Sequence, residues 1–186
     1  MLALSAFVTR GRTDCNSTSL SKIDRHDIVL QIFAVQLHRF VEVIVLDIKI
    51  GNDAELIRAA DELRRIVFID EQGVPEDEIF DGLNHKAVHI VIFDRELPIA
   101  TARLLNNGDN WRIGLVAVEE SRRGEALGEK VMQAAIEYVI ACDGNEIVLT
   151  AQQEVRGFYE KLGFSQCGEA VVFESGFVLI PMKLCI

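Results

Sequence analysis

Basic residues are in short supply in this chain. Nineteen Lys and Arg stand against 29 Asp and Glu over 186 residues, a net charge of −10. The shortage is not uniform. Residues 1 to 47 balance Arg10, Arg12, Lys22, Arg25 and Arg39 against Asp14, Asp24, Asp27, Glu42 and Asp47, so the excess of acid falls in residues 48 to 186. A nucleic-acid partner is disfavoured, because phosphate backbones need a basic surface. A cationic ligand would be drawn to such a field, although acidity also confers solubility, and charge alone does not choose between the two. Cysteine is sparse as well. Cys15, Cys142, Cys167 and Cys185 are scattered, with no C-x-x-C pair and no nearby histidine set. That argues against a metal site and a disulfide framework, and makes a reducing cytoplasm the default compartment. No apolar run reaches the ~20 residues of a membrane helix, so no membrane partner is expected. The opening MLALSAFVTRGR lacks the basic stretch that precedes the apolar core of a signal peptide. Internal repeats and low-complexity tracts are also missing.

What is present suits one globular domain: 49% hydrophobic and 26% charged residues, enough for a sizeable core. Residues 1 to 41 read as an extension outside that domain, with a polar TDCNSTSLSK segment and a loosely amphipathic 28 to 40. Residues 42 to 186 carry the fold. VIVLDIKI, residues 43 to 50, is a strand. Asn52 and Asp53 can cap a helix running to about Ile69, with Leu56, Ala59, Ala60, Leu63, Ile66 and Val67 on its buried face. An acidic loop, residues 71 to 84, follows. Strands over 87 to 93, 98 to 105 and 111 to 118 read as an antiparallel meander joined by tight turns. A helix from near Leu127, a strand over 146 to 150, a helix over 154 to 162 and two closing strands complete a mixed α/β order. Its crossover helices make the middle of the sheet parallel.

The stretch from Arg112 to Met132 organises the rest. A strand ends at Val118, a charged turn spans 119 to 123, and small residues Gly124, Ala126 and Gly128 lead into a helix. Free N–H groups and the positive end of a helix dipole then converge on one point, a device for holding an anion such as phosphate.

Four blocks of residues resemble those of the GNAT superfamily of acyl-CoA N-acyltransferases, and within it the bacterial group typified by ElaA and YjcF. Arg65-Ile66-Val67-Phe68 with Glu71-Gln72-Gly73-Val74-Pro75 is similar to that group's R-x-V-F-x-x-E-Q-x-V-P. Asp81-Gly82-Leu83-Asn84 and His89 follow at its spacing. Arg123-Gly124-Glu125-Ala126-Leu127-Gly128 resembles the acyl-CoA loop. Ala151-Gln152 with Phe158-Tyr159 through Gly163-Phe164 matches A-Q…F-Y-x-x-x-G-F. Together they span about residues 45 to 184. There are departures: Ala126 replaces a glycine of the loop, Glu125 adds negative charge, and Leu179 stands where the group's E-A-G-I-P-H-x-x-M pattern has histidine.

The resemblance implies a GNAT-like fold: a mixed, mostly antiparallel central sheet with a parallel middle, flanked by about four helices. It implies acetyl transfer from acetyl-CoA to a primary amine of a small molecule, by direct attack within a ternary complex, without metal. Val116, Ala117 and Val118 would present backbone N–H groups to pantetheine and thioester from a bulged strand. Arg123, Gly124, Ala126, Leu127 and Gly128 would hold the pyrophosphate, and Gln152 the pantetheine arm. Arg122 would touch the 3′-phosphate or stay solvated. Tyr159 would protonate the departing thiolate, or else only pack. Glu71, Asp81, His89 and Glu174 are candidates for the base or for substrate contacts, none singled out. A catalytically weak acyl-CoA sensor is the alternative, and an acyl-homoserine-lactone synthase a third reading that the R-G-x-x-L-G and F-Y-x-x-x-G-F blocks oppose. A monomer and a homodimer are equally compatible.

Overall fold

The computed structural model describes residues 46–172 and 178–186. The readings made for residues 1 to 45, and for Glu174, lie outside this range. The chain runs β1 (Leu46–Gly51), α1 (Ala54–Arg64), a π-helical turn (Arg65–Glu71), α2 (Glu76–Ile79), β2 (Val88–Asp94), β3 (Leu97–Asn106), β4 (Trp111–Val118), α3 (Leu127–Ala141), β5 (Glu146–Gln152), α4 (Arg156–Lys161), β6 (Ser165–Gln166), β7 (Val171–Val172) and β8 (Val178–Cys185). The strands form one sheet in the order β1-β2-β3-β4-β5-β8-β6, with β7 also on β8. All pairings are antiparallel except β4 with β5. This is the mixed, mostly antiparallel sheet with a parallel middle that the sequence implies.

Local chemistry explains the main elements. The Asp53 carboxylate accepts from the N–H groups of Glu55 and Leu56, which starts α1. The buried stripe of α3, Leu127, Val131, Met132, Ala135, Ile136 and Val139, recurs at helical spacing and packs on Ile90, Leu104, Ile113 and Ile147 of the sheet. That is the core.

Two elements differ from expectation. The first helix does not continue regularly to Ile69. After Arg64 it widens into the π-turn, which keeps Val67 buried but leaves Ile66 45% exposed. The β-branched Ile66, Val67 and Ile69 hold α-geometry weakly, so packing of Val67 on Leu63 and Ala117 decides the local winding. Near the C-terminus, two strands become three segments. Cys167 N–H donates to Pro181 O, but Pro181 has no N–H to return, so the ladder on that side of β8 breaks between β6 and β7.

Candidate active site

The site starts from an irregularity in β4. Arg103 of β3 pairs with Gly114 and Thr101 with Ala117, so Ala102 faces both Leu115 and Val116. This is a β-bulge, and Leu115 takes the left-handed conformation, φ 50°, to make it. On its other side β4 meets β5 only at Trp111–Ile147 and Arg112–Val148. Beyond those pairs the strands splay, and the N–H and C=O groups along the inner edges lose the strand partner they would otherwise have.

A cavity of about 760 Å³ opens in that wedge. Ile113 to Val118 form one wall and Leu149 to Gln152 the other. Arg122, Arg123, Gly124 and Ala126 to Glu129 close one end, while Val67, Phe68 and Gln72 of the π-turn region lie along it, with Val155, Phe158 and Tyr159. Every residue expected to face cofactor (Val116, Ala117, Val118, Arg123, Gly124, Ala126, Leu127, Gly128 and Gln152) borders this one space, as does Tyr159.

The anion end is built from backbone. Gly124 and Ala126 are left-handed, φ 85° and 58°, and no side chain caps α3. The first intrahelical bond runs from Lys130 N–H to Ala126 O, so the N–H groups of Leu127, Gly128 and Glu129 have no partner within the helix. Such unpartnered N–H groups at a helix start can hold an anion. At Gly128 a Cβ would lie 3.4 Å from the Phe158 ring and 3.8 Å from Val118, ordinary van der Waals contact.

Both loop arginines are engaged by carboxylates. Arg122 donates to Asp94 at 2.6 Å and to Glu125 at 3.0 Å, which raises its pKa. Arg123 grips Glu71 bidentately at 2.7 and 2.6 Å and donates from Nε to Val118 O at 3.2 Å. Those hydrogen bonds hold the Glu71 carboxyl below the usual carboxylate range. Glu125, whose added negative charge departs from the family's loop, is occupied with Arg122.

Tyr159 sits in the middle of an aromatic row, 5.0 Å from Phe158 and 6.1 Å from Phe164, ring centre to ring centre, edge to face. Burial pushes its pKa up to about 12, so the hydroxyl keeps its proton at neutral pH.

Three candidates for base lie elsewhere. Asp81 is bidentate to Arg103 at 2.8 and 2.7 Å, and this pairing lowers its pKa. His89 is fully buried. Arg64 Nη2 can only donate, so His89 Nδ1 accepts from it at 3.2 Å, and Nε2–H therefore donates to Asn84 O at 3.0 Å. Burial depresses its pKa further, which leaves a neutral imidazole with both nitrogens used. Neither residue lines the cavity, and neither does Glu71. Among the described residues, the carboxylate that does line it is Glu129, on the first turn of α3.

These features correspond to a known protein fold. The acetyltransferase (GNAT) domain model matches residues 67–186. The chain belongs to this family. YjcF of Bacillus subtilis (strain 168), an uncharacterized N-acetyltransferase, is 27% identical over 133 residues, 72% of this chain and 95% of its own. Protein ElaA of Escherichia coli (strain K12) is 33% identical over 129 residues, 65% of this chain and 82% of its own. The crystal structure of Escherichia coli ElaA superposes with a TM-score of 0.68 at 26% identity, covering 75% of this chain and 99% of ElaA. That of an acyl-CoA N-acyltransferase from Pseudomonas aeruginosa gives 0.66 at 26% identity, covering 74% and 98%.

This GNAT protein is thus an acyltransferase, and its family uses acyl-CoA as donor. The part of its cavity to which the motifs assigned no role is the π-turn side. Val67 and Phe68 fall within the R-x-V-F block, but nothing in their spacing says that a widened turn aims them, with Gln72, at β4. Val155 and Thr150 also line the cavity without a distinguishing pattern.

Proposed function

We propose that residues 42 to 186 transfer an acetyl group from acetyl-CoA to a primary amine of a small molecule, with residues 1 to 41 as an extension outside the catalytic domain. The observation that carries this reading is that the splayed β4–β5 wedge and the uncapped start of α3 open onto one cavity. Backbone N–H groups from Gly124 to Glu129 receive the pyrophosphate, and the field of α3 favours its charge. The inner edges of β4 and β5 offer hydrogen bonds to the amide groups of the pantetheine arm, with Gln152 beside them. Backbone N–H groups of Val116 to Val118 face the thioester oxygen as it becomes an oxyanion.

In the reaction the amine nitrogen bonds to the thioester carbonyl carbon and the carbon–sulfur bond breaks. Tyr159 supplies the proton that the departing thiolate takes up, and the proton that the nitrogen sheds as the amide forms passes through water to restore the Tyr159 hydroxyl. The attacking ammonium must first lose its own proton. Asp81, Glu71 and His89 are committed to internal partners, so water receives that proton and the acceptor binds as the free amine. The acidic surface concentrates cationic acceptors around the domain.

Calorimetric titration with acetyl-CoA tests the donor, and thiol release across a panel of primary amines tests the reaction. Binding with a one-to-one stoichiometry and amine-dependent thiol release are expected. Absence of binding would sink the assignment. Binding without release by any amine would leave the sensor reading in its place.

A further inference from the structure

The ion pair between Arg123 and Glu71 joins two parts of the site that are 52 residues apart in sequence. Arg123 opens the phosphate loop, and its Nε also holds Val118 O at the end of β4. Glu71 is the last residue of the π-turn, whose Val67 and Phe68, with the adjoining Gln72, line the same cavity. One guanidinium therefore ties the loop, the strand end and the turn together. The pair is partly exposed, 42% and 30% for the two side chains, so it adds little to stability. Its two parallel hydrogen bonds do fix direction, because a planar fork on a carboxylate allows one arrangement where a single contact allows many. The π-turn is also a form of helix that packing and its end contacts must hold, since its own propensity does not.

Resting on the acyl-CoA reading above, we infer that Glu71 is a positioning residue: through Arg123 it couples occupancy of the phosphate loop to the setting of the π-turn that lines the same cavity. Diphosphate arriving at the loop draws on the same guanidinium that Glu71 holds. The turn bearing Val67, Phe68 and Gln72 then responds to whether donor is bound. Coupling of this kind is reciprocal, so an acceptor that fits the turn tightens donor binding by the same factor.

Amide hydrogen exchange with and without acetyl-CoA tests this in the full chain and in the Glu71→Gln and Arg123→Gln variants. In the wild type, acetyl-CoA should slow exchange both at residues 124–129 and at residues 65–72. In Glu71→Gln the loop should stay protected while residues 65–72 return to their unliganded rates. Arg123→Gln should show the same loss at 65–72, and the double variant should be no worse there than either single one. The KM of the best amine from the thiol-release panel should rise about tenfold in Glu71→Gln, within the range of ordinary couplings. The acetyl-CoA dissociation constant should change by less than about threefold, a smaller effect than typical couplings give. Thermal melts should overlay the wild type, which separates coupling from loss of structure. Persistent protection of residues 65–72 in Glu71→Gln would overturn the inference, since direct contact would then suffice. Equal shifts in amine KM and donor affinity would overturn it too. If acetyl-CoA altered exchange nowhere in the wild type, the acyl-CoA reading itself would fall and this inference with it.

Discussion

At the scale of single residues, the chemistry of the site rests on which groups are free and which are spoken for. Among the described residues Tyr159 has no ion-pair partner, and its hydroxyl stays protonated at neutral pH. Replacing it with phenylalanine preserves the aromatic row on Phe158 and Phe164 and removes only the hydroxyl. A general acid contributes about 10²–10⁴-fold, so Tyr159→Phe should lower kcat by about that factor in the thiol-release assay. Its acetyl-CoA affinity should stay within about twofold, an effect far below that of losing a buried contact. Unchanged turnover would return Tyr159 to packing. The direction of the pKa shift gives a second check. An acid that titrates normally at about 10 would fail as pH rises through that value. With the pKa at about 12, wild-type activity should show no alkaline loss up to about pH 10.5. Ala126 makes the complementary case. It holds a left-handed φ of 58° that costs an alanine about 1–2 kcal/mol, part of which glycine gives back as chain entropy. Ala126→Gly should raise the melting temperature or leave it unchanged, and should not weaken acetyl-CoA binding in calorimetry.

At the scale of elements, the wedge depends on where β4 and β5 begin to diverge. Their two shared pairs lie at Trp111 and Arg112, and Gly144 packs beneath that junction. A Cβ on Gly144 would sit 2.8 Å from the Trp111 ring and nearer still to Val139. Gly144→Ala should therefore cost about 1–3 kcal/mol by overpacking, seen as a fall of several degrees in a thermal melt. An unchanged melt would show that the ring shifts freely. Most elements were legible beforehand because their signals are local. The α3 stripe repeats at helical spacing, Asp53 caps, and NNGDN turns. The loop before α3 was legible for the same reason, since a strand, small residues and a helix start adjoin in sequence. The rest was set by distant partners. The π-turn sets Val67 against Ala117 and Glu71 against Arg123, contacts that no local pattern announces. The fate of His89 depended on Arg64 and Asn84, neither of which its strand pattern reveals. Loss of the β6–β7 ladder needed the register that sets Pro181 opposite Cys167.

Across the whole molecule, the same buried network predicts how stability follows pH. His89 is neutral when folded and has a depressed pKa, whereas the unfolded chain takes up its proton near pH 6.5. The unfolded state thus binds more protons as pH falls through 6.5, and stability declines from there downward. Asp81, Glu71, Glu76 and Asp53 also have lowered pKa values. Their contribution is present above the ordinary carboxylate range and is lost below it, at more acidic pH. Melting temperature should therefore begin to fall between about pH 6.5 and 5, ahead of the carboxylates. In His89→Gln, which keeps one donor and one acceptor, that early slope should flatten at some cost in stability. A slope unaltered by the substitution would mean that His89 titrates normally.

An ordinary open sheet has two edges, and evolution guards both against pairing with other chains. The splay in this sheet adds two more, facing each other inside one domain and lined by Leu115, Val116, Leu149 and Ala151. In the function proposed above, what fills them is the pantetheine arm of acyl-CoA rather than a strand. When that molecule is scarce, the protein carries an open template for extended peptide, so its tendency to aggregate should track the donor supply as closely as its activity does.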